Sequence, residues 1–247
     1  MNLHDKIVIV SAASTGIGRA VAVEFAKEGA HLLLVARTKD RLLETKRLVE
    51  EVGASADIFL VDLSDISSIN QFISSVKSEY KSIYALCNVA GIWHGENEVY
   101  AGKDYDSFTQ EVIVDTFMVG TIAPALLAHA FIPLMSNTSS IINLSGTFES
   151  GAKGWLPYFV SKRAIEDLTV GLAEELKDRG IRVNGISPSD TATDAYQKYF
   201  PEYIPDAIEP EKIAEYAVLL CSEKAKEITG KVFVLKKGKE PFESFHF

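Results

Sequence analysis

Short uninterrupted apolar runs alternate along this chain with longer segments in which apolar residues recur every three or four positions. The runs cover residues 7–10, 32–36, 58–61, 84–88, 141–144, 183–186 and 232–235. Each has the length of a strand and none alternates polar with apolar, the pattern of strands covered on both faces in a parallel sheet. Helical spacing falls between them, as in Ile17, Val21 and Phe25 or Leu42 and Val49. This alternation predicts an α/β fold: a doubly wound, Rossmann-type, seven-stranded parallel sheet with helices on both faces. Such sheets bind ligands beyond the carboxyl ends of their strands, so the loops after the strands are where chemistry is to be sought.

Length and composition narrow the picture. A chain of 247 residues suits one domain, 1–247, with a substantial core. The formal charge of −9 and the lack of a basic run argue against a nucleic-acid partner. Cys87 and Cys221 are too few for a disulfide framework and lack zinc-site spacing, so no metal is expected. Charge within the first ten residues does not fit a signal peptide, which points to the cytoplasm. Residues 112–135 are apolar enough to suggest a membrane span. Asp115, Pro124, His129 and Pro133 interrupt them, and the expectation is a long helix buried between the sheet and a neighbouring subunit.

Two segments carry chemistry. The first run leads straight into Ser11-Ala-Ala-Ser14-Thr-Gly16-Ile17-Gly18 and then into a helical pattern. A glycine-bearing turn between strand and helix lets backbone approach a pyrophosphate, and the helix start offers free N–H groups at the positive end of its dipole. Two glycines in a tight turn are also an ordinary structural device, and the spacing is not G-x-G-x-x-G. Position between strand and helix favours binding. The second segment is Tyr158-Phe-Val-Ser-Lys162, after the fifth run. Residues four apart share a helix face, so the Lys162 ammonium could lower the Tyr158 pKa from about 10 and fit the phenol for proton exchange with a substrate oxygen.

Together these segments resemble the short-chain dehydrogenase/reductase family, over almost the whole chain. The resemblance implies a nicotinamide dinucleotide held by Ser11, Ser14, Gly16, Ile17 and Gly18 in the first turn. Asp62 and Leu63 match the adenine-contacting position, and Asn88, Ala90 and Gly91 belong to a segment similar to N-N-A-G. Pro188, Thr191 and Thr193 fall where the family touches the nicotinamide carboxamide and phosphate. It implies catalysis by Tyr158 and Lys162, with Lys162 also holding the nicotinamide ribose. A serine at the end of the fifth strand is expected to place the substrate oxygen. Ser145 has the family's separation from Tyr158, yet aligning Ile-Ile-Asn-Leu-Ser with I-V-N-I-S-S puts Gly146 at that place, and Thr147 is a further candidate.

The chain departs from the family pattern at Ala12, Val89 and Ser189, and at Phe117, which replaces the family's catalytic Asn. At the end of the second strand Ala36 stands where NAD-specific relatives carry Asp, and Arg37 follows. With Ser14 this predicts NADP(H) in preference to NAD(H). Residues 190–210 would form a substrate lid rich in aromatics, and Trp93 and His94 could line the substrate site. The leading expectation is a carbonyl reductase or alcohol dehydrogenase acting on a small molecule, assembled as a homo-tetramer or homo-dimer through residues 112–135 and 157–178. Two alternatives remain: a 3-oxoacyl carrier-protein reductase, and a dinucleotide-binding regulator without turnover.

Overall fold

The computed structural model describes residues 3–148 and 153–246. Strands β1 (Ile7–Ser11), β2 (His31–Ala36), β3 (Ser55–Leu60), β4 (Ala85–Asn88), β5 (Ser140–Leu144), β6 (Arg182–Pro188) and β7 (Val232–Leu235) form one parallel sheet ordered β3-β2-β1-β4-β5-β6-β7. Helices cover both faces: α1 (Gly16–Lys27), α2 (Lys39–Glu51), α3 (Ile66–Glu79), α4 (Gln110–Phe117), α5 (Ala123–Phe131), α6 (Leu156–Leu176), α7 (Asp194–Tyr199) and α8 (Pro210–Cys221). The strand order reverses at β1, which pairs with both β2 and β4, and this is where a crevice opens in such sheets.

Two details differ from the apolar pattern. The sheet has an eighth strand, β8 (Phe242–Glu243), antiparallel to β7, because the chain turns back after Gly238. Two residues are too few to show periodicity. Strand β3 begins three residues before its apolar run, since it lies at the sheet edge, where one side is wet and polar residues are tolerated. There the Asp57 carboxylate accepts hydrogen bonds from Tyr80 Oη at 2.7 Å and from the His31 ring at 2.8 Å.

Two apolar layers sandwich the central strands. One packs Val21, Phe25 and α8 against β1 and β2; the other packs Phe72, Leu127 and Phe131 on the opposite face. The two cysteines are buried in free form. The apolar stretch Gln110–Leu134 is long and apolar enough to cross a bilayer by composition alone. Half of its most apolar window is buried inside the molecule. Between α4 and α5 the helix widens into a π-type turn, Met118–Ile122, and Gly120 there meets α6 so closely that a Cβ would lie 2.8 Å from Ser161 Oγ.

Candidate active site

The carboxyl ends of β1, β4, β5 and β6 border one crevice of about 990 Å³. Its first wall is the turn after β1. Gly16 holds φ +52°, open to glycine at little cost, and a Cβ there would press Thr193 Cγ2 at 3.1 Å. Gly18 lets α1 start against β1: a Cβ would fall 2.2 Å from the Ala12 carbonyl oxygen. Ala12 itself takes φ +53°, the left-handed region where the family has glycine, so this turn is strained. Thr15 precedes α1 without giving its helix start a side-chain cap, which leaves first-turn N–H groups for an anion. These are the features a pyrophosphate requires, and the cradle fits a dinucleotide.

Ser11 does not face this wall. Its Oγ accepts from the N–H groups of Val89 (2.9 Å) and Ala90 (3.2 Å), tying the β4 loop to β1. Asn88 donates to Asn143 Oδ1 at 2.8 Å, and its own buried Oδ1 has no partner among the described residues. These interactions hold Ala90 and Gly91 at the crevice floor.

Tyr158 and Lys162 lie one turn apart on α6. Lys162 is 2% exposed, and its Nζ donates to the carbonyls of Leu144 (2.7 Å) and Ala90 (3.3 Å), joining α6 to the ends of β5 and β4. A Cβ on Gly91 would come within 3.0 Å of that nitrogen. Burial lowers the Lys162 pKa to about 8. Burial also raises the Tyr158 pKa above its ordinary value. The expected lowering by Lys162 is therefore corrected: the ammonium sits 5.6 Å over the ring centre, and desolvation of the phenol decides. Tyr158 stays protonated, which suits it to donate.

Ser145, expected to supply the third group, borders the crevice, but its hydroxyl is engaged elsewhere. Ser145 is 2% exposed and its Oγ donates to Glu166 Oε1 at 2.7 Å, one turn beyond Lys162 on α6. Successive residues of an extended segment point to opposite sides, so Gly146 faces the tyrosine instead. A Cβ at Gly146 would stand 3.9 Å from Tyr158 Oη and 3.5 Å from the Phe148 ring. Thr147 lines the crevice, with its N–H bound to the Pro188 carbonyl at 3.2 Å. Phe117 ends α4, half-buried, and is not on the crevice wall.

The remaining expected residues divide. Gly16, Ile17, Gly18, Gly91, Pro188, Thr191 and Thr193 line the crevice. Thr191 Oγ1 donates to the Ser189 carbonyl at 2.9 Å, and Thr193 Oγ1 caps α7 by accepting from Tyr196 N–H. Leu63 is core, and Ser14 offers its carbonyl to Arg19 at 2.6 Å. Arg37 is exposed just beyond β2. Burial pushes the Asp62 pKa up, but hydrogen bonds from Ser64 N–H (2.9 Å) and Oγ (2.7 Å), helped by the Arg37 charge, hold that carboxyl below its usual range. Two arginines on the wall escaped the sequence reading. Arg19 is committed to Ser14 and Thr45, whereas Arg41, one turn after Arg37, has no side-chain partner among the described residues. The four-residue spacing from Arg37 was the signal. Trp93 and His94 both reach the crevice.

A family model described as enoyl-(acyl carrier protein) reductase matches residues 11–240. The chain belongs to the short-chain dehydrogenase/reductase family. As a member it is a dehydrogenase/reductase acting on a C=O or CH–OH group. It is 31% identical over 257 residues to the A-factor type gamma-butyrolactone 1'-reductase (1S-forming) of Streptomyces virginiae, with 96% of each chain covered. Among solved structures it is similar to L-sorbose reductase from Gluconobacter frateurii complexed with NADPH and L-sorbose (26% identity, TM-score 0.83, 96% and 97% covered). It is likewise similar to angucycline C-6 ketoreductase LanV with bound NADP (25% identity, TM-score 0.83, 94% and 95% covered). Against the family's Asn, Ser, Tyr and Lys, this member presents Phe117, Gly146, Tyr158 and Lys162.

Two predictions follow from this geometry. Gly146→Ser is expected to add a donor beside Tyr158 and raise kcat/KM for a carbonyl substrate about tenfold or more, given that one such donor contributes about 10²–10³ in other enzymes. Ser145→Ala should cost about 1–3 kcal/mol of stability by stripping a donor from buried Glu166, with turnover within about threefold of wild type. A hundredfold loss of rate at unchanged Tm would mean that Ser145 is the catalytic hydroxyl after all. As for pH, a lysine whose pKa is lowered to about 8 loses its charge as pH rises through that value. Reductive kcat/KM for NADPH, which reports the free enzyme, should be level below pH 8 and decline above it. A profile flat to pH 10 would contradict the burial of this ammonium.

Proposed function

We propose that this protein is an NADP(H)-dependent reductase of ketones or aldehydes, a single domain whose segment 190–210 closes over a small-molecule substrate. One observation carries the reading. The Tyr158 hydroxyl is held protonated by burial, opens on the crevice without an internal hydrogen-bond partner among the described residues, and is backed by a buried ammonium one helical turn away. The cofactor, when bound, supplies hydride at nicotinamide C4. Tyr158 donates its proton to the carbonyl oxygen as the carbonyl carbon is reduced, so that C=O becomes CH–OH. Lys162 orients the ribose and stabilises the phenolate left behind. Gly16, Gly18 and the start of α1 hold the pyrophosphate; Thr191 and Thr193 border the nicotinamide end.

Preference for NADP(H) rests on three residues. Ala36 offers no carboxylate to repel a 2′-phosphate, Arg41 brings a guanidinium fork to the crevice wall, and Arg37 is exposed just beyond β2. The relatives solved with NADP or NADPH support this. Self-association is proposed through α4, α5 and α6, where Val114, Ile122, Leu156 and Val160 are exposed. A second reading, a dinucleotide-binding regulator, draws on the replacement of the family's Ser and Asn by Gly146 and Phe117. The tyrosine–lysine pair would have no use in such a protein.

Comparing kcat/KM for NADPH and NADH tests the coenzyme assignment. Wild type should favour NADPH by roughly 10- to 150-fold, the range of a charge-assisted pair of about 1.5–3 kcal/mol. Arg37→Ala and Arg41→Ala should each reduce that ratio, mainly through KM for NADPH. Equal use of both coenzymes by wild type would refute the assignment.

A further inference from the structure

The crevice has an unusual roof. Beyond Tyr158 it is lined by the rings of Trp93, Phe148, Trp155, Tyr196 and Tyr199, with Phe200 stacked behind them. The rings are mutually supported. Trp155 lies 6.2 Å from Tyr158 and 6.3 Å from Trp93; Phe148 meets Tyr158 edge-on at 5.8 Å; Phe200 sits 5.2 Å from Tyr196 and 6.3 Å from Trp93. Three parts of the chain contribute: the loop after β4, the residues Phe148 and Trp155 between β5 and α6, and α7 with the residue after it.

Two of these segments, the loop after β4 and α7, are also pinned together by polar contacts at the rim. Lys198 Nζ donates to the Glu96 carbonyl at 3.1 Å, and Tyr199 Oη donates to the carbonyls of Gly95 and Glu96 at 3.4 and 3.3 Å. The ring-lined space is therefore a preformed slot, with charged side chains such as Asp194 and Lys198 at its mouth. At its inner end Gly146 presents no hydroxyl, and the nearest side chain to its Cβ position is the Phe148 ring at 3.5 Å. A carbonyl arriving there meets the Tyr158 hydroxyl among aromatic faces and edges, with Thr147 on the same wall.

We infer that the substrate is a ketone borne on or fused to a flat aromatic ring system, seated between Trp155, Trp93 and Phe148 with its carbonyl oxygen on Tyr158. Offset-stacked and edge-to-face ring pairs are attractive beyond the area they bury, and each added pair multiplies affinity. A polyol ketone would lose water from its hydroxyls on entering and gain no such ring pairs in return. The inference rests on the proposed reductase activity for its chemistry, but the slot itself can be tested without turnover.

Both tryptophans of the chain, Trp93 and Trp155, stand in this slot, so tryptophan fluorescence, excited beyond the tyrosine band, reports on it. The full-length protein is titrated with α-tetralone, cyclohexanone and fructose while fluorescence is followed, first without coenzyme. Oxidation of NADPH is then measured with each ketone. The expected result is saturable quenching by α-tetralone only, and kcat/KM for α-tetralone at least tenfold above that for cyclohexanone and further above fructose. In Trp155→Leu the α-tetralone to cyclohexanone ratio should fall toward one. Turnover of cyclohexanone or fructose as fast as α-tetralone, without quenching, would overturn the aromatic slot and leave the reductase reading standing. Quenching by α-tetralone with no NADPH oxidation by any of the three would support the slot and count against the reductase. Absence of both quenching and turnover with α-tetralone would overturn the inference.

Discussion

A lysine ammonium buried without a carboxylate partner among the described residues is the constraint around which the active edge is arranged. Removing such a charge from water costs several kcal/mol, and only hydrogen bonds to the charged form offset it. Lys162 finds them in the Leu144 and Ala90 carbonyls, which lie at the ends of adjacent parallel strands. Meeting that need fixes the distance from α6 to the sheet, requires the absence of a Cβ at Gly91, and holds the tyrosine one turn earlier over the crevice. Neighbouring ties serve the same end. Ser11 clamps the β4 loop, Asn88 and Asn143 bridge β4 to β5, and Asn143 reaches Thr169 on α6 at 2.9 Å.

Farther out, the same helix face continues to Glu166, a buried carboxylate that accepts from Ser145 and from the backbone N–H of His246 at 2.7 Å. The chain's last described residues are thus tied to the helix that carries the chemistry. The aromatic roof depends on the same placement, because Trp155 precedes α6 directly and Phe148 follows the end of β5. A single helix, anchored by its lysine, thereby sets the positions of the donor, the roof and the tail.

Much of this was legible in the sequence because it follows from periodicity and local turn chemistry. Seven uninterrupted apolar runs correspond to seven parallel strands within a few residues, and the Tyr158–Lys162 spacing places both on one helix face. What was not legible depended on direction. Ser145 and Gly146 are adjacent in sequence, and which of them faces Tyr158 is a matter of half a strand period; only backbone geometry resolves it, in favour of Gly146. The sign of the Tyr158 shift was misjudged for a related reason. Spacing shows that a cation is near but not that it lies over the ring, nor that burial around the phenol outweighs it. Arg41 was missed because its role needs α2 to begin at Lys39, and helix starts are the least certain part of any pattern. The edge strand β8 is too short to leave a periodic trace.

The central claim is that the tyrosine–lysine edge completes carbonyl reduction with Gly146, which has no hydroxyl, as the residue facing Tyr158. Incubating the wild-type protein with an aryl ketone and NADPH deuterated at nicotinamide C4, on the face used for transfer, tests it most directly. The account predicts one deuterium on the carbinol carbon of the product by mass spectrometry, with a primary isotope effect on the single-turnover rate. Failure to form the alcohol with either C4 epimer of the labelled coenzyme, although the dinucleotide binds, would contradict it.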